Sequence, residues 1–291
     1  MAEHTPLALA RLAADHMAGR GIENARLEAE LMLAAVLGIR RLDLYLQYDR
    51  PLTRDEVAGF REMVKRRLRR EPLQYILAEA AFRELVLRVD PRVLIPRPET
   101  EVLVQVVLDW ARERGGDALD AVDIGTGSGA IALSLAHEGP FERVVATDVS
   151  ADALALAREN ATRLGLSDLV EFREGALFDA LAPDERFDVV VSNPPYIDEA
   201  DRDTLAPEVR DWEPERALFA SGGGLEVIEA LVAGAPAHLR EGGLIALEVG
   251  LGQAETVAER MAATGVYDVP RIVKDLAGRE RIVLATLAET V

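Results

Sequence analysis

The chain contains no cysteine. Disulfides, thiolate zinc sites and cysteine nucleophiles are therefore excluded together. Histidine is scarce as well: His4, His16, His137 and His238 are scattered along 291 residues, and no metal site is expected from them. Long apolar runs are missing. No window approaches the roughly 18 uninterrupted apolar residues of a membrane span. The opening stretch MAEHTPLALARLAADH carries Glu3 early and has no basic n-region, so it does not read as a signal peptide. Positive charge is in the minority, with 33 Lys and Arg against 51 Asp and Glu and a net charge of −18. Such a surface repels phosphate backbones, which sets nucleic acid at a disadvantage as a partner unless a local basic face outweighs it. These absences lead to the expectation of a cytoplasmic protein without membrane or direct nucleic-acid contact.

What is present is a 49% hydrophobic chain, long enough for one large domain, or one large and one small. Residues 1–72 read as helical. Leu7, Leu9, Leu12, Leu27, Leu31, Leu33 and Leu37 recur near helical spacing. Thr53 to Glu56 has capping-box form and opens a helix through Val57, Phe60 and Val64. That helix ends in the basic run Lys65 to Arg70. The run reads either as a phosphate-binding patch or as a solvated helix end whose cations complement the dipole. No aromatics interleave with the cations, which favours the second. Within 73–95, alternation at Phe82, Leu85, Leu87 and Val89 predicts a linking hairpin. From 96 the chain continues as a stiff loop, PRPETE, and a helix.

From 120 onward short apolar runs alternate with helical stretches. The runs fall at 121–125, 143–150, 169–175, 187–193 and 243–250, and two more close the chain around Gly278. Helices are expected at 130–138, 151–164, near 224–240 and at 253–264. Strands alternating with helices imply an α/β, doubly wound, mostly parallel sheet, here of seven strands.

VDIGTGSGAIAL places Gly125, Thr126, Gly127, Ser128 and Gly129 between a strand and a helix. Glycine permits sharp turns and close approach to a ligand, and the helix N-terminus offers free N–H groups. Asp148, at the tip of the next strand, is suited to ribose hydroxyls. Two cofactors compete for this turn, a dinucleotide and S-adenosylmethionine. Asp123, two residues before the first glycine, favours the second, since it suits an ammonium group and not a pyrophosphate.

The fourth strand runs into Asn193, Pro194, Pro195 and Tyr196. Proline cannot continue a central strand, so a rigid turn sits at its tip, on the same rim as the glycines and Asp148. The Asn193 side-chain oxygen and the Pro194 carbonyl are two acceptors, and Tyr196 offers a flat wall. That set fits a planar –NH2 group, an amide or an exocyclic base amine. Asn193, Pro194 and Tyr196 are the candidate catalytic residues, and Asn193 also faces the cofactor.

NPPY with DIGTGSGAIAL resembles the class I S-adenosylmethionine-dependent methyltransferases that modify planar nitrogens. PLQYILAEAAF, LIPRPETE, TDVSADALALARENA and PEVRDWEPERALFASGGGLEVI further resemble the release factor glutamine methyltransferase family, over most of the chain. The resemblance implies a Rossmann-like methyltransferase sheet at 96–291, a linker hairpin at 73–95 and a small helical substrate-docking domain at 1–72. It implies transfer of a methyl group from S-adenosylmethionine, leaving S-adenosylhomocysteine, to the side-chain amide nitrogen (N5) of the glutamine in the Gly-Gly-Gln loop of class 1 peptide-chain release factors. The alternative is an adenine N6 methyltransferase acting on nucleic acid. It also implies that Asp148, Leu177 and Phe178 bind cofactor, the last two flanking the adenine. Asn193 to Tyr196 hold the glutamine, and Phe82 and Pro96 to Glu99 line the cleft. Ala78 stands where the family suggests Gly, and Leu177 where an aromatic is common.

Overall fold

The computed structural model describes residues 5–115 and 118–289; His4 lies outside the described residues. The chain divides into two compact units, Met1–Ala78 with Ala206–Trp212 and Glu79–Leu205 with Glu213–Val291.

The first unit holds helices α1 (Pro6–Ala18), α2 (Ala25–Leu37), α3 (Asp43–Leu46), α4 (Arg54–Leu68) and α5 (Leu73–Leu77). Met17, Met32, Leu33, Leu44 and Phe60 are buried at its centre. The expected capping box opens α4: the Thr53 hydroxyl accepts from the Glu56 N–H and the Glu56 carboxylate from the Thr53 N–H. The basic run at the end of α4 is a solvated helix end only in part: Lys65 and Arg69 are exposed, but three of its arginines are tied to carboxylates. Arg66 donates to Glu71 at 2.5 Å, and the buried Arg67 donates to Glu28 at 2.6 Å and to Glu208 at 2.9 Å. Arg70 donates to the same Glu208 oxygen at 3.1 Å. A guanidinium taken out of water needs carboxylate partners, and these come from residues far away in sequence.

Leu73–Leu77 is a helical turn, so the hairpin is shorter than 73–95: it consists of β1 (Glu79–Phe82) and β2 (Leu85–Arg88) and lies in the second unit. Ala78 caps α5 in the left-handed region, with φ 59°. That conformation costs an L-residue about 1–2 kcal/mol and glycine nothing. Ala78→Gly is therefore expected to stabilise the protein by roughly 0.5–1 kcal/mol after the extra unfolded-state entropy of glycine. A denaturant midpoint that fails to rise would contradict this.

The second unit contains α6 (Pro98–Arg114), β3 (Leu119–Ile124), α7 (Ala130–Glu138), β4 (Phe141–Asp148), α8 (Ala151–Leu164), β5 (Val170–Glu174), β6 (Phe187–Ser192), β7 (Leu239–Glu248), β8 (Arg271–Lys274) and β9 (Glu280–Thr286). Two longer helices, Glu226–Gly234 and Ala254–Ala263, lie before and after β7. The seven-stranded sheet has the order β5-β4-β3-β6-β7-β9-β8, parallel through β7 and antiparallel in the last two strands. One face packs on α6 and α7 through Leu103, Val107, Leu133 and Leu135. The other packs on the later helices through Phe187, Leu231, Val257 and Met261. Both faces are covered, so β6 is buried at every position, as its unbroken valine run requires. After β3 the chain winds outward to β5 and then returns to β6 on the other side. The sheet therefore opens between β3 and β6, and a crevice forms outside their carboxyl ends.

Candidate active site

A cleft of about 400 Å³ occupies that switch point. Pro96, Arg97 and Thr100 line one wall, Gly125 to Ser128 the floor, Asp148 to Ser150 and Leu177 a second wall, and Asn193 to Pro195 a third. Of the loop Pro96 to Glu99 expected at the cleft, Pro96 and Arg97 line it and Pro98 and Glu99 do not; Thr100, in the first turn of α6, lines it as well. Phe82 does not line it and is buried in the core beside α6.

The glycines divide their work. Gly125 and Gly127 have φ of 77° and 56°, and a Cβ on either would meet nothing within 4 Å. Their Cβ positions are open space for a ligand. Gly129 is different: a Cβ there would come within 2.9 Å of Leu133 and 3.4 Å of Ala157. It lets α7 approach α8, the packing role of the third glycine in such turns.

Asp148 braces the turn from the tip of β4. One carboxylate oxygen accepts the Gly127 N–H at 2.9 Å and the other the Ser150 N–H at 2.8 Å. Burial pushes its carboxyl above the ordinary range. Asp148→Ala leaves two N–H groups without their charged acceptor, worth about 1.5–3 kcal/mol each. It is expected to weaken cofactor affinity at least roughly tenfold. Calorimetric titration with S-adenosylmethionine measures this, and an unchanged dissociation constant would remove Asp148 from the site.

Asp123 sits elsewhere than the sequence suggests. It is fully buried beneath the turn and is not among the residues lining the cleft. One carboxylate oxygen accepts from the Thr126 hydroxyl at 2.7 Å and from the Ala132 N–H at 3.2 Å. The other has no hydrogen-bond partner among the described residues. Burial raises its pKa to about 7. Asn160, not singled out from the sequence, is a second brace. Its amide donates to the Ser128 and Arg88 carbonyls at 2.9 and 3.0 Å and accepts the Arg88 N–H at 2.7 Å, tying the turn to β2.

Leu177 lines the cleft with φ 48°. Phe178 points away from it. Its ring stacks on His238, centroids 5.1 Å apart, and packs so closely on Gly234 that a Cβ there would lie 2.5 Å from the ring.

Asn193 and Pro194 are delivered by β6. Asn193 Nδ2 donates to Thr100 Oγ1 at 3.0 Å, and Thr100 Oγ1 donates to Glu248 Oε2 at 2.7 Å. Among the described residues, no hydrogen bond engages Asn193 Oδ1 or the Pro194 carbonyl. Tyr196 is not among the residues lining the cleft, although the sequence offers it as a flat wall. Arg281 lies over its ring at 5.0 Å and donates to its hydroxyl at 2.7 Å. Burial beside the Glu248 carboxylate pushes the phenol up to about 12, so it stays neutral at physiological pH. The Tyr196 carbonyl accepts from Gln253 at 3.0 Å, and Gly224 packs so tightly that a Cβ would lie 2.0 Å from that oxygen. The turn is thus held from three sides. Thr100, Glu248, Arg281 and Gln253 escaped the sequence reading because each acts across a long stretch of chain.

A doubly wound seven-stranded sheet with a glycine turn at the switch point and Asn-Pro-Pro-Tyr across the cleft defines a Rossmann-like methyltransferase. Solved structures support the fold. A methyltransferase from Pyrococcus furiosus is 21% identical with a TM-score of 0.53, covering 70% of this chain and 89% of that one. The N-terminal domain of human METTL16, solved with SAH, is 20% identical with a TM-score of 0.53, covering 70% and 76%. The PrmC N-terminal domain family matches residues 8–77, and the methyltransferase small domain family matches 99–209. The release factor glutamine methyltransferase of Geobacter sulfurreducens is 47% identical over 253 residues, 87% of each chain. That of Rhodopirellula baltica is 39% identical over 286 residues, 96% of each. The chain belongs to the release factor glutamine methyltransferase family.

Proposed function

We propose that this protein methylates the side-chain amide nitrogen (N5) of the glutamine in the Gly-Gly-Gln loop of class 1 peptide-chain release factors, using S-adenosylmethionine and leaving S-adenosylhomocysteine. The observation that carries this reading is the acceptor pair on one wall of the cleft. Among the described residues nothing donates to Asn193 Oδ1 or to the Pro194 carbonyl, while the donor end of Asn193 is already bound to Thr100. Only a group with two hydrogens to give, such as a primary amide, satisfies both.

The cleft fits the cofactor. Its volume of about 400 Å³ falls in the ordinary range for small-molecule sites, about 300–1,000 Å³. The open space over Gly125 and Gly127 suits the polar methionyl part, and Asp148 suits ribose hydroxyls. When bound, S-adenosylmethionine supplies an electrophilic methyl group on a sulfonium. The chain's own residues do the rest. An amide nitrogen is a weak nucleophile because its lone pair is delocalised into the carbonyl. Accepting both of its hydrogens polarises the nitrogen and fixes the plane of the –NH2, leaving its lone pair toward the cleft. Positioning and exclusion of water then provide the catalysis, and no strong base is needed. The proton leaves after the new C–N bond has formed.

The nucleic-acid alternative gains no support from the basic run. Arg66, Arg67 and Arg70 are committed to carboxylates within their own unit and form no basic face. The helical unit is the surface that would grip the release factor beyond its loop. No helix among the described residues is long and apolar enough to cross a membrane. Purified release factor incubated with methyl-labelled cofactor is expected to take up label in its Gly-Gly-Gln peptide and to lose it when that glutamine is replaced by alanine. Label that survives the replacement, or label on nucleic-acid amines instead, would refute the assignment.

A further inference from the structure

Behind the acceptor pair lies a buried chain of hydrogen bonds that the proposed chemistry does not itself use. Register places its end: Ser192 on β6 pairs with Leu247 on β7, so the next residues, Asn193 and Glu248, arrive together at the carboxyl rim. Thr100, in the first turn of α6, stands between them and is buried. Glu248 is fully buried, and its second oxygen lies 3.3 Å from the Tyr196 hydroxyl and 3.5 Å from the Arg281 guanidinium. One carboxylate thus anchors both Asn193, through Thr100, and Tyr196.

The chain has a direction. An ionised carboxylate accepts and never donates. The single Thr100 hydroxyl hydrogen must therefore go to Glu248, and the Thr100 oxygen is left to accept. It accepts from the Asn193 –NH2, which leaves Asn193 Oδ1 as the end turned toward substrate. An amide in place of the carboxylate removes this constraint. Its own –NH2 can donate to Thr100, whose hydroxyl then donates to Asn193 Oδ1. The Asn193 amide turns over and presents donors to a substrate group that itself has only donors to offer.

We propose that Glu248, acting through Thr100, is a positioning residue that decides which end of the Asn193 amide faces the substrate. The proposal rests on the reading of Asn193 as an acceptor for the glutamine –NH2. Burial pushes the Glu248 carboxyl above its ordinary value and Glu99 from α6 adds to this, while the hydrogen bonds from Thr100 and Tyr196 and the charge of Arg281 favour the ionised form that the proposal needs.

The test is a set of variants assayed for methyl transfer to release factor, with S-adenosylmethionine affinity and thermal unfolding measured alongside. Glu248→Gln, isosteric but able to donate, is expected to lower kcat roughly 10²-fold, the scale of losing one preorganised polar group. Cofactor affinity should change less than about threefold. Thr100→Val is expected to lose at least about tenfold, and Thr100→Ser, which keeps the hydroxyl, to restore most of the rate. The decisive comparison is the double variant Asn193→Ala with Glu248→Gln. If Glu248 works through Asn193, the second change adds little once Asn193 is gone; a merely structural role would make the two losses multiply. Multiplying losses, or a Glu248→Gln enzyme as active as its parent, would overturn the proposal. A parent enzyme that transfers no methyl group to the glutamine would instead refute the functional assignment itself.

Discussion

Asn193→Ala is expected to lower turnover roughly 10²- to 10³-fold, the range for removing one preorganised polar partner of a transition state. The loss should fall mainly on kcat. In the ground state the glutamine –NH2 is neutral and the Asn193 oxygen accepts an ordinary hydrogen bond. As the new bond forms, the nitrogen acquires positive charge, its hydrogens become stronger donors and the acceptor gains importance. Interactions that strengthen toward the transition state appear in kcat, whereas uniform binding appears in KM. The Pro194 carbonyl remains, so some preorganisation survives. Cofactor affinity should stay within about threefold of the parent, because the glycine turn and Asp148 lie on other strands. Steady-state kinetics against release factor, with calorimetry for the cofactor, separates the two effects. Turnover within a few-fold of the parent would take Asn193 out of the mechanism.

The second large effect is a pH dependence of stability traced to Asp123. Burial raises its folded pKa to about 7, whereas the unfolded value is about 3.9. The folded state therefore holds a proton that the unfolded state has lost between about pH 4 and 7. A raised pKa contributes stability that is complete below the unfolded value and is lost as pH rises through the folded one. About three pKa units correspond to roughly 4 kcal/mol at most, lost between about pH 4 and 7. Asp123→Asn keeps a neutral side chain at every pH and an oxygen for Thr126 and Ala132. Relative to its parent, the variant is expected to be near-equal in stability at about pH 4 and clearly more stable at about pH 8. Comparing the two proteins cancels opposing titrations elsewhere, such as Glu185, whose Arg173 and Arg143 partners hold it down at about 2. Parallel stability curves for parent and variant across this range would show that Asp123 is ionised throughout.

The features read correctly from sequence are those whose cause is local. The Thr53 capping box, the valine run of β6, the alternation of strand and helix and the glycine turn each follow from neighbours a few positions apart. The departure noted at Ala78 coincides with a left-handed backbone that favours glycine. What escaped depends on partners distant in the chain. Composition presents Lys65 to Arg70 as solvated, yet Arg67 finds Glu28 and Glu208, 39 and 141 positions away. Thr100 and Glu248 are 148 positions apart, and nothing near either marks it as support for Asn193. Direction was also hidden. Leu177 and Phe178 are adjacent, but the left-handed backbone at Leu177 helps send one into the cleft and the other onto His238. The Asp123 side chain, expected to meet the cofactor, turns under the loop to hold Thr126 and the start of α7.

The central claim is that two oxygens on one side of the cleft hold a glutamine –NH2 in line with the cofactor. A crystal structure with S-adenosylhomocysteine and a Gly-Gly-Gln peptide tests it most directly. The amide nitrogen should lie about 2.8–3.2 Å from both Asn193 Oδ1 and the Pro194 carbonyl, with its remaining face toward the cofactor sulfur. A glutamine bound with its carbonyl oxygen against Asn193, or with its nitrogen turned away from the sulfur, would contradict it.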